Sequence, residues 1–131
     1  MNDAKRELLM NYIKSNVGPI LVDFVEASWI ANSIILPANC KMKELNGHYE
    51  NTEFLPPEWL NNLINNKDQT ILIIDKIDSI SKEEQTKFIE ILKYRQVSTF
   101  EIPENTVIIV TANKIDKNTI NDEIYSLVVH I

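Results

Sequence analysis

Thr70-Ile-Leu-Ile-Ile74, closed by Asp75, and Val107-Ile-Ile-Val110, closed by Thr111-Ala-Asn113, are the two stretches whose reading decides the fold. Each is an unbroken, largely β-branched apolar run of strand length, bounded by charged or turn-forming residues. A strand on one face of an antiparallel sheet alternates apolar and polar side chains. An unbroken run is what an interior strand of a parallel sheet needs, because helices cover both of its faces. The two runs are therefore expected to be adjacent, interior strands of a parallel sheet.

The segments around them read as alternating helices and strands. Between the runs, Ser81 with Glu84 forms a capping box, and Phe88, Ile89 and Leu92 give the buried stripe of the helix it opens. Before the first run, Pro56-Pro57 can start a helix whose Trp59, Leu60, Leu63 and Ile64 share a face, ended by Asn65-Asn-Lys-Asp68. After the second, Asn118 or Thr119 can cap a short helix through Ile120 and Ile124, and residues 127–131 read as a last strand. Pro19-Ile-Leu-Val-Asp-Phe-Val25 and Ile34-Ile-Leu36 are further strand candidates, with a short helix around residues 26–32 between them. Residues 37–53 read as a loop or hairpin, with Asn46-Gly47 as the turn signal. At the start, Leu8, Leu9, Tyr12 and Ile13 fall at helical spacing beside Lys5, Arg6, Glu7 and Lys14, an amphipathic helix ending near Gly18-Pro19. The alternation predicts a three-layer α/β sandwich with a parallel sheet of about five strands. Residues 1–131 form one domain in this reading, with residues 1–16 as an N-terminal amphipathic helix.

Composition bounds the function classes. At 131 residues, 44% hydrophobic and 24% charged, the chain suits one globular domain with a real core and neither a disordered nor a fibrous class. A formal net charge of -6 gives no basic face to neutralise phosphates, so direct nucleic-acid binding is not expected. Met1-Asn-Asp-Ala-Lys-Arg-Glu7 contains no apolar signal core, and no apolar run approaches the roughly 20 residues of a membrane span, which reads as a soluble cytoplasmic protein. Cys40 is the only cysteine, so no internal disulfide can form, and it reads as a buried or indifferent thiol. His48 and His130 lack neighbours at ligand spacing, so no metal site is expected.

Ile71-Leu-Ile-Ile-Asp75 followed by Lys76-Ile-Asp78 resembles the Walker B strand of AAA+ ATPases, in which four apolar residues precede Asp-Glu. Ser79-Ile80, Glu83-Glu-Gln85 and the Phe88–Leu92 stripe resemble the helix that follows it. Val107-Ile-Ile-Val-Thr-Ala-Asn113 is similar to the sensor-one strand, whose terminal Asn lies beside the Walker B carboxylate. Gly47-His-Tyr-Glu50, the Pro56-Pro57 lead into the Trp59 helix, and Arg95-Gln-Val97 before Ile102-Pro103 look most like the MoxR and dynein-related branch. The resemblance covers residues 44–131 well and residues 17–36 by element order alone. It implies an AAA+ or P-loop NTPase-like core, here without a C-terminal helical lid.

The same resemblance assigns chemistry and marks its loss. Asp75 would order the water shell of a Mg²⁺ at the carboxyl edge of the sheet, and Asn113 would sense a terminal phosphate. The plainer reading is that Asp75 and Asp78 end a strand and open a turn, while Asn113 bonds its own turn. Where the family carries the glutamate that polarises the attacking water, this chain carries Lys76, an ammonium that cannot accept a proton. The phosphate loop G-x-x-x-x-G-K-[ST] is absent. Gly18 and Gly47 are the only glycines, Val25-Glu-Ala-Ser-Trp-Ile30 follows the first strand candidate, and Asp23 and Glu26 would repel a triphosphate. Tyr125-Ser-Leu127 lacks the arginine that the family places near the final strand.

No residue is assigned a catalytic role, and Asp75 and Asn113 are vestigial cofactor-binding candidates. The reading placed first is a non-catalytic AAA+-like interaction or regulatory module that takes no cofactor. Its partner would be a protein, either an active AAA+ protein or a second copy of this chain. Trp29, Trp59 and the N-terminal stripe are candidate contact residues, weighed against simple core roles. The alternatives are a nucleotide-binding protein or weak Mg-ATPase holding Mg-ATP or Mg-ADP, and an accessory factor acting in DNA transactions through a loader or helicase.

Overall fold

The computed structural model describes residues 3–26, 30 and 32–131. In chain order these form helix α1 (Asp3–Ser15), strands β1 (Ile20–Val22) and β2 (Ser33–Pro37), helix α2 (Met42–Asn46), and a hairpin of β3 (His48–Glu50) and β4 (Glu53–Leu55). Helix α3 (Glu58–Ile64), strand β5 (Thr70–Asp75), two 3₁₀ turns (Ile77–Ser79 and Glu84–Phe88) and helix α4 (Ile89–Tyr94) follow. A second hairpin of β6 (Gln96–Val97) and β7 (Phe100–Glu101), strand β8 (Thr106–Thr111), helix α5 (Asp122–Leu127) and strand β9 (Val129–His130) complete the described elements.

Five of the strands form one sheet in the order β2-β5-β8-β1-β9, with every pairing parallel. The two apolar runs are neighbours in register, Ile71 beside Val107 and Ile74 beside Val110, and neither is an edge strand. Their register is pinned at both ends. The buried hydroxyls of Thr70 and Thr106 lie 2.8 Å apart at the amino end, and Thr111 Oγ1 donates to Asp75 Oδ1 at 2.9 Å at the carboxyl end.

Alternation along the strands divides the core in two. Leu21, Leu36, Leu72, Ile74, Ile108 and Val110 face the side covered by α3, α4 and α5, with Phe88 fully buried among them. Ile20, Val22, Ile71, Ile73, Val107 and Ile109 face the other side, where Leu9 and Ile13 of α1 meet them together with Ile30. Helix α1 runs antiparallel to the strands. Lys5 near its start pairs with Asp23 beyond β1 at 3.1 Å, while at its end the Ile13 carbonyl accepts from Gln69 Nε2 at 2.9 Å, just before β5. The result is the expected α/β sandwich with a five-stranded parallel sheet between helical layers.

Local expectations differ from the structure in several places. Of the four stripe residues in α1, only Leu9 and Ile13 are buried. Leu8 is 40% exposed, because a residue one position away points about 100° around the helix. Ile64 is likewise 49% exposed at the end of α3, whereas Trp59, Leu60 and Leu63 are buried. Ser81 does accept from Glu84 N at 3.1 Å, but it opens a 3₁₀ turn, and α-helical geometry begins only at Ile89.

The hairpin in residues 37–53 has its turn at Asn51-Thr52, with Asn51 at φ 56°, and it is preceded by α2. Gly47 sits instead where β3 begins, at φ 99°, and a Cβ there would overlap the Leu55 carbonyl oxygen. The cap of α5 is Asn121, whose Oδ1 accepts from Glu123 N and Ile124 N; Asn118 and Thr119 belong to an earlier turn closed by Asp116. Leu127 ends α5, so the last strand is shorter than expected. The short helix expected around residues 26–32 falls largely outside the described residues. Among those described, no helix is long and apolar enough to cross a membrane.

Candidate functional site

In an open parallel sheet the loops that leave the strands gather at the carboxyl ends, which is where ligands of α/β proteins bind. Here that edge carries Asp75 at the end of β5 and Thr111-Ala112-Asn113 leaving β8. Asp75 is half-buried. One carboxylate oxygen accepts from the Thr111 hydroxyl, and the same hydroxyl oxygen accepts from Lys76 N at 2.9 Å. A single threonine thus holds both the strand-end carboxylate and the turn that follows it.

Lys76 adopts the left-handed conformation, φ 58° and ψ 56°, which costs a non-glycine residue about 1 kcal/mol. The kink leaves its side chain exposed and turns Ile77 into the core, where it is fully buried. Asp78 then points back across the edge. Its two carboxylate oxygens accept from Asn113 N at 3.1 Å and Lys114 N at 3.0 Å. The segments leaving β5 and β8 are therefore joined by Asp78, a residue to which the sequence reading gave only a turn-forming role. Asn113, two residues beyond β8, is tied through its backbone to Asp78 and is exposed.

A second staple lies behind this one. Gln85 is fully buried; its amide nitrogen donates to the carbonyls of Ile80 at 3.2 Å and Thr119 at 2.8 Å, and its oxygen accepts from Asn121 N at 2.8 Å. Lys82 adds a bond to the Lys117 carbonyl at 2.6 Å and an ion pair with Asp122 at 3.6 Å. Asp116 closes the intervening turn, and the backbone N–H of Asn118 holds its carboxyl below the ordinary carboxylate range. The signal for Gln85 was a polar residue three positions before Phe88 on the buried stripe. A residue so placed must find internal partners for both amide ends.

Arg95 donates to the Pro103 and Thr106 carbonyls at 2.8 and 2.7 Å, at the amino edge of the sheet, and burial pushes its pKa down. Trp59 is core, with Nε1 bonded to the Leu45 carbonyl at 3.2 Å, which removes it as a contact residue. Trp29 lies outside the described residues. Cys40 is buried, and burial raises its thiol pKa. His130 in β9 packs edge-on against Tyr125, while His48 belongs to the separate β3–β4 hairpin. Among the described residues no group of three or more His, Cys, Asp or Glu side chains is arranged to hold a metal ion.

At the end of β1, Asp23 is exposed and paired with Lys5. Only residues 23–32 connect β1 to β2, although β8 and β5 lie between them in the sheet. No family model matches the chain, and no curated protein matches it.

Proposed function

We propose that this chain is a non-catalytic, AAA+-like module that acts by binding another protein and does not turn over ATP. The observation that carries the reading is the connection from β1 to β2, residues 23–32, which contains neither glycine nor lysine. A phosphate loop needs about eight residues of fixed pattern, with glycines that let backbone N–H groups face the phosphates and a lysine that reaches them, followed by a helix. This connection must also pass two strands, a lateral distance of about 14 Å at ordinary strand spacing, which leaves no length for loop and helix together. Asp23 and Glu26 add negative charge where a triphosphate would lie.

The carboxyl edge agrees with this reading. Asp75 ends β5 and Asn113 lies two residues beyond the end of the neighbouring β8, which is compatible with the resemblance to Walker B and sensor-one strands. Lys76 occupies the position of the catalytic base, and the Asp75 carboxylate and Lys76 N–H share the Thr111 hydroxyl. Such an edge holds its own loops and keeps the subunit shape without the chemistry. The partner is another protein, an active AAA+ protein or a second copy.

The test is a thermal-shift titration with Mg-ATP and Mg-ADP together with a phosphate-release assay. Neither nucleotide should raise Tm, because binding to the folded state alone would do so by mass action. Lys76→Glu should create no activity. Phosphate release that disappears in Asp75→Ala would instead establish a weak Mg-ATPase and overturn the proposal.

A further inference from the structure

β2 is an edge strand, and its backbone bonding is settled by two contacts. Ile71 N donates to the Asn32 carbonyl at 3.1 Å, and Ala38 N donates to the Asp75 carbonyl at 3.0 Å. In a parallel ladder the bonded residues alternate, so Asn32, Ile34, Leu36 and Ala38 address β5, and Ser33, Ile35 and Pro37 face outward. Pro37 has no N–H to offer, and its carbonyl accepts from Cys40 N at 3.0 Å. The open edge is therefore short: the N–H and C=O of Ser33 and of Ile35. Ile35 is 53% exposed beside it. An open groove of about 510 Å³ follows the strand, walled by α2 and α3, with Lys43, His48, Glu44 and Glu58 among its lining residues.

We propose that this edge pairs with the same edge of a second copy, antiparallel about a two-fold axis at Ile34. In that register Ser33 lies opposite Ile35 of the second copy, and Ile35 opposite its Ser33. Both are hydrogen-bonded pairs, so the four free groups of each strand are all used, in four bonds. Ile34 meets Ile34 of the second copy at the intervening non-bonded position, on the groove side, and Pro37 falls outside the pairing.

A longer extended peptide would fit less well, because beyond Ile35 it would meet a proline without a donor. Charge favours the same occupant. A two-fold interface sets a patch against itself, which a lining of both signs allows in a chain whose net charge of -6 would otherwise repel its copy. The pairing names one partner for the interaction module proposed above and rests on that reading. The two fail separately, since stabilisation by Mg-ATP would overturn the module and leave the dimer standing.

Sedimentation velocity of the full chain across a concentration series is the test, with expected movement from 15.1 kDa toward twice that mass. Ile35→Pro removes one outward N–H, as Pro37 already does, and should keep the chain monomeric with an unchanged far-UV spectrum. Ile34→Cys reads the register even if the proline variant misfolds. Mild oxidation should link it into a dimer, because the two Cα atoms would lie about 4.5 Å apart, while Ser33→Cys and the unaltered chain should not link. A chain that stays at 15.1 kDa up to millimolar concentration overturns the proposal, as does a dimer that survives Ile35→Pro. An unlinked Ile34→Cys would do the same. A monomer that loses a captured protein on Ile35→Pro would assign the edge to a foreign strand.

Discussion

The two faces of the sheet are built differently. One is covered by α3, α4 and α5, the 3₁₀ turn carrying Phe88, and the loops between them, and most of these belong to crossovers between consecutive sheet strands. The other receives Leu9 and Ile13 from α1, with Ile30, Met10, Tyr12, Val25 and Ile131 around them. In the interior strands β1, β5 and β8, the core side chains on both faces are equally apolar and almost equally buried. Burial alone therefore hides how unequal the two covers are. On the first face the cover is shared among many elements, whereas on the second, among the described residues, α1 is the one helix that contributes, joined by Ile30, Val25 and Ile131.

The largest expected effect follows from that difference. A chain starting at Val17 takes the Leu9 and Ile13 cover from Ile20, Val22, Ile71, Ile73, Val107 and Ile109, and it should lose its cooperative melt and aggregate on gel filtration. A truncated chain that melts cooperatively as a monomer would break the comparison.

Within α1, Leu9→Ala should cost about 3 kcal/mol, since the side chain is fully buried, and Leu8→Ala less than about 0.5 kcal/mol. Denaturant midpoints of the two variants measure this directly. Leu60→Ala on the opposite face should cost about as much as Leu9→Ala. The faces should differ instead in hydrogen exchange, with the amides of α1 opening before those of β5 and β8.

Gln85→Leu sharpens the comparison from the better-covered side. It keeps the volume but leaves Asn121 N and the Ile80 and Thr119 carbonyls without their partner, for an expected loss of about 2 kcal/mol by thermal or chemical denaturation. An unchanged midpoint would mean that Asp78 and Lys82 hold the loops leaving β5 and β8 without Gln85.

The smallest effect concerns acid. The Asp116 carboxyl is held below its ordinary value chiefly by Asn118 N–H, so its contribution is present above the unfolded pKa and lost as pH falls through the folded one. Between about pH 5 and pH 3 the unaltered chain should lose slightly more stability than Asp116→Asn, as read from paired melts.

How far the sequence carried depended on the range of the interaction. β5 and β8 were legible because nothing but a doubly covered strand suits Ile71-Leu-Ile-Ile74 and Val107-Ile-Ile-Val110. α1 was legible as a helix, but two adjacent leucines could not say which one faces the sheet. Caps were misplaced where two candidates compete within a few residues: Asp116 closes the turn at Asn118 and Thr119, leaving Asn121 to start α5.

At the candidate site, Asp75 was marked by its place after an apolar run. Its partner Thr111 lies 36 residues away and becomes a partner only through the β5–β8 register. The same holds for Asp78, whose two acceptor bonds reach 35 and 36 residues along the chain. A one-dimensional pattern shows which residues end strands; cross-strand register decides which of them touch.

The position of α1 also sets an order in time. Leu9 leaves the ribosome well before Val107 and Ile109, part of the surface it covers, which are made about 100 residues later, a delay of about 5–20 s at ordinary rates of synthesis. Through that interval the helix has no completed sheet to dock on, and Ile71 and Ile73 emerge before their β8 neighbours exist. Helix α1 is thus made well before the surface that seats it is complete. A nascent chain stalled after Asp75 should expose an apolar surface that a ribosome-associated chaperone would bind, and one released after β9, with α5 in place, should not.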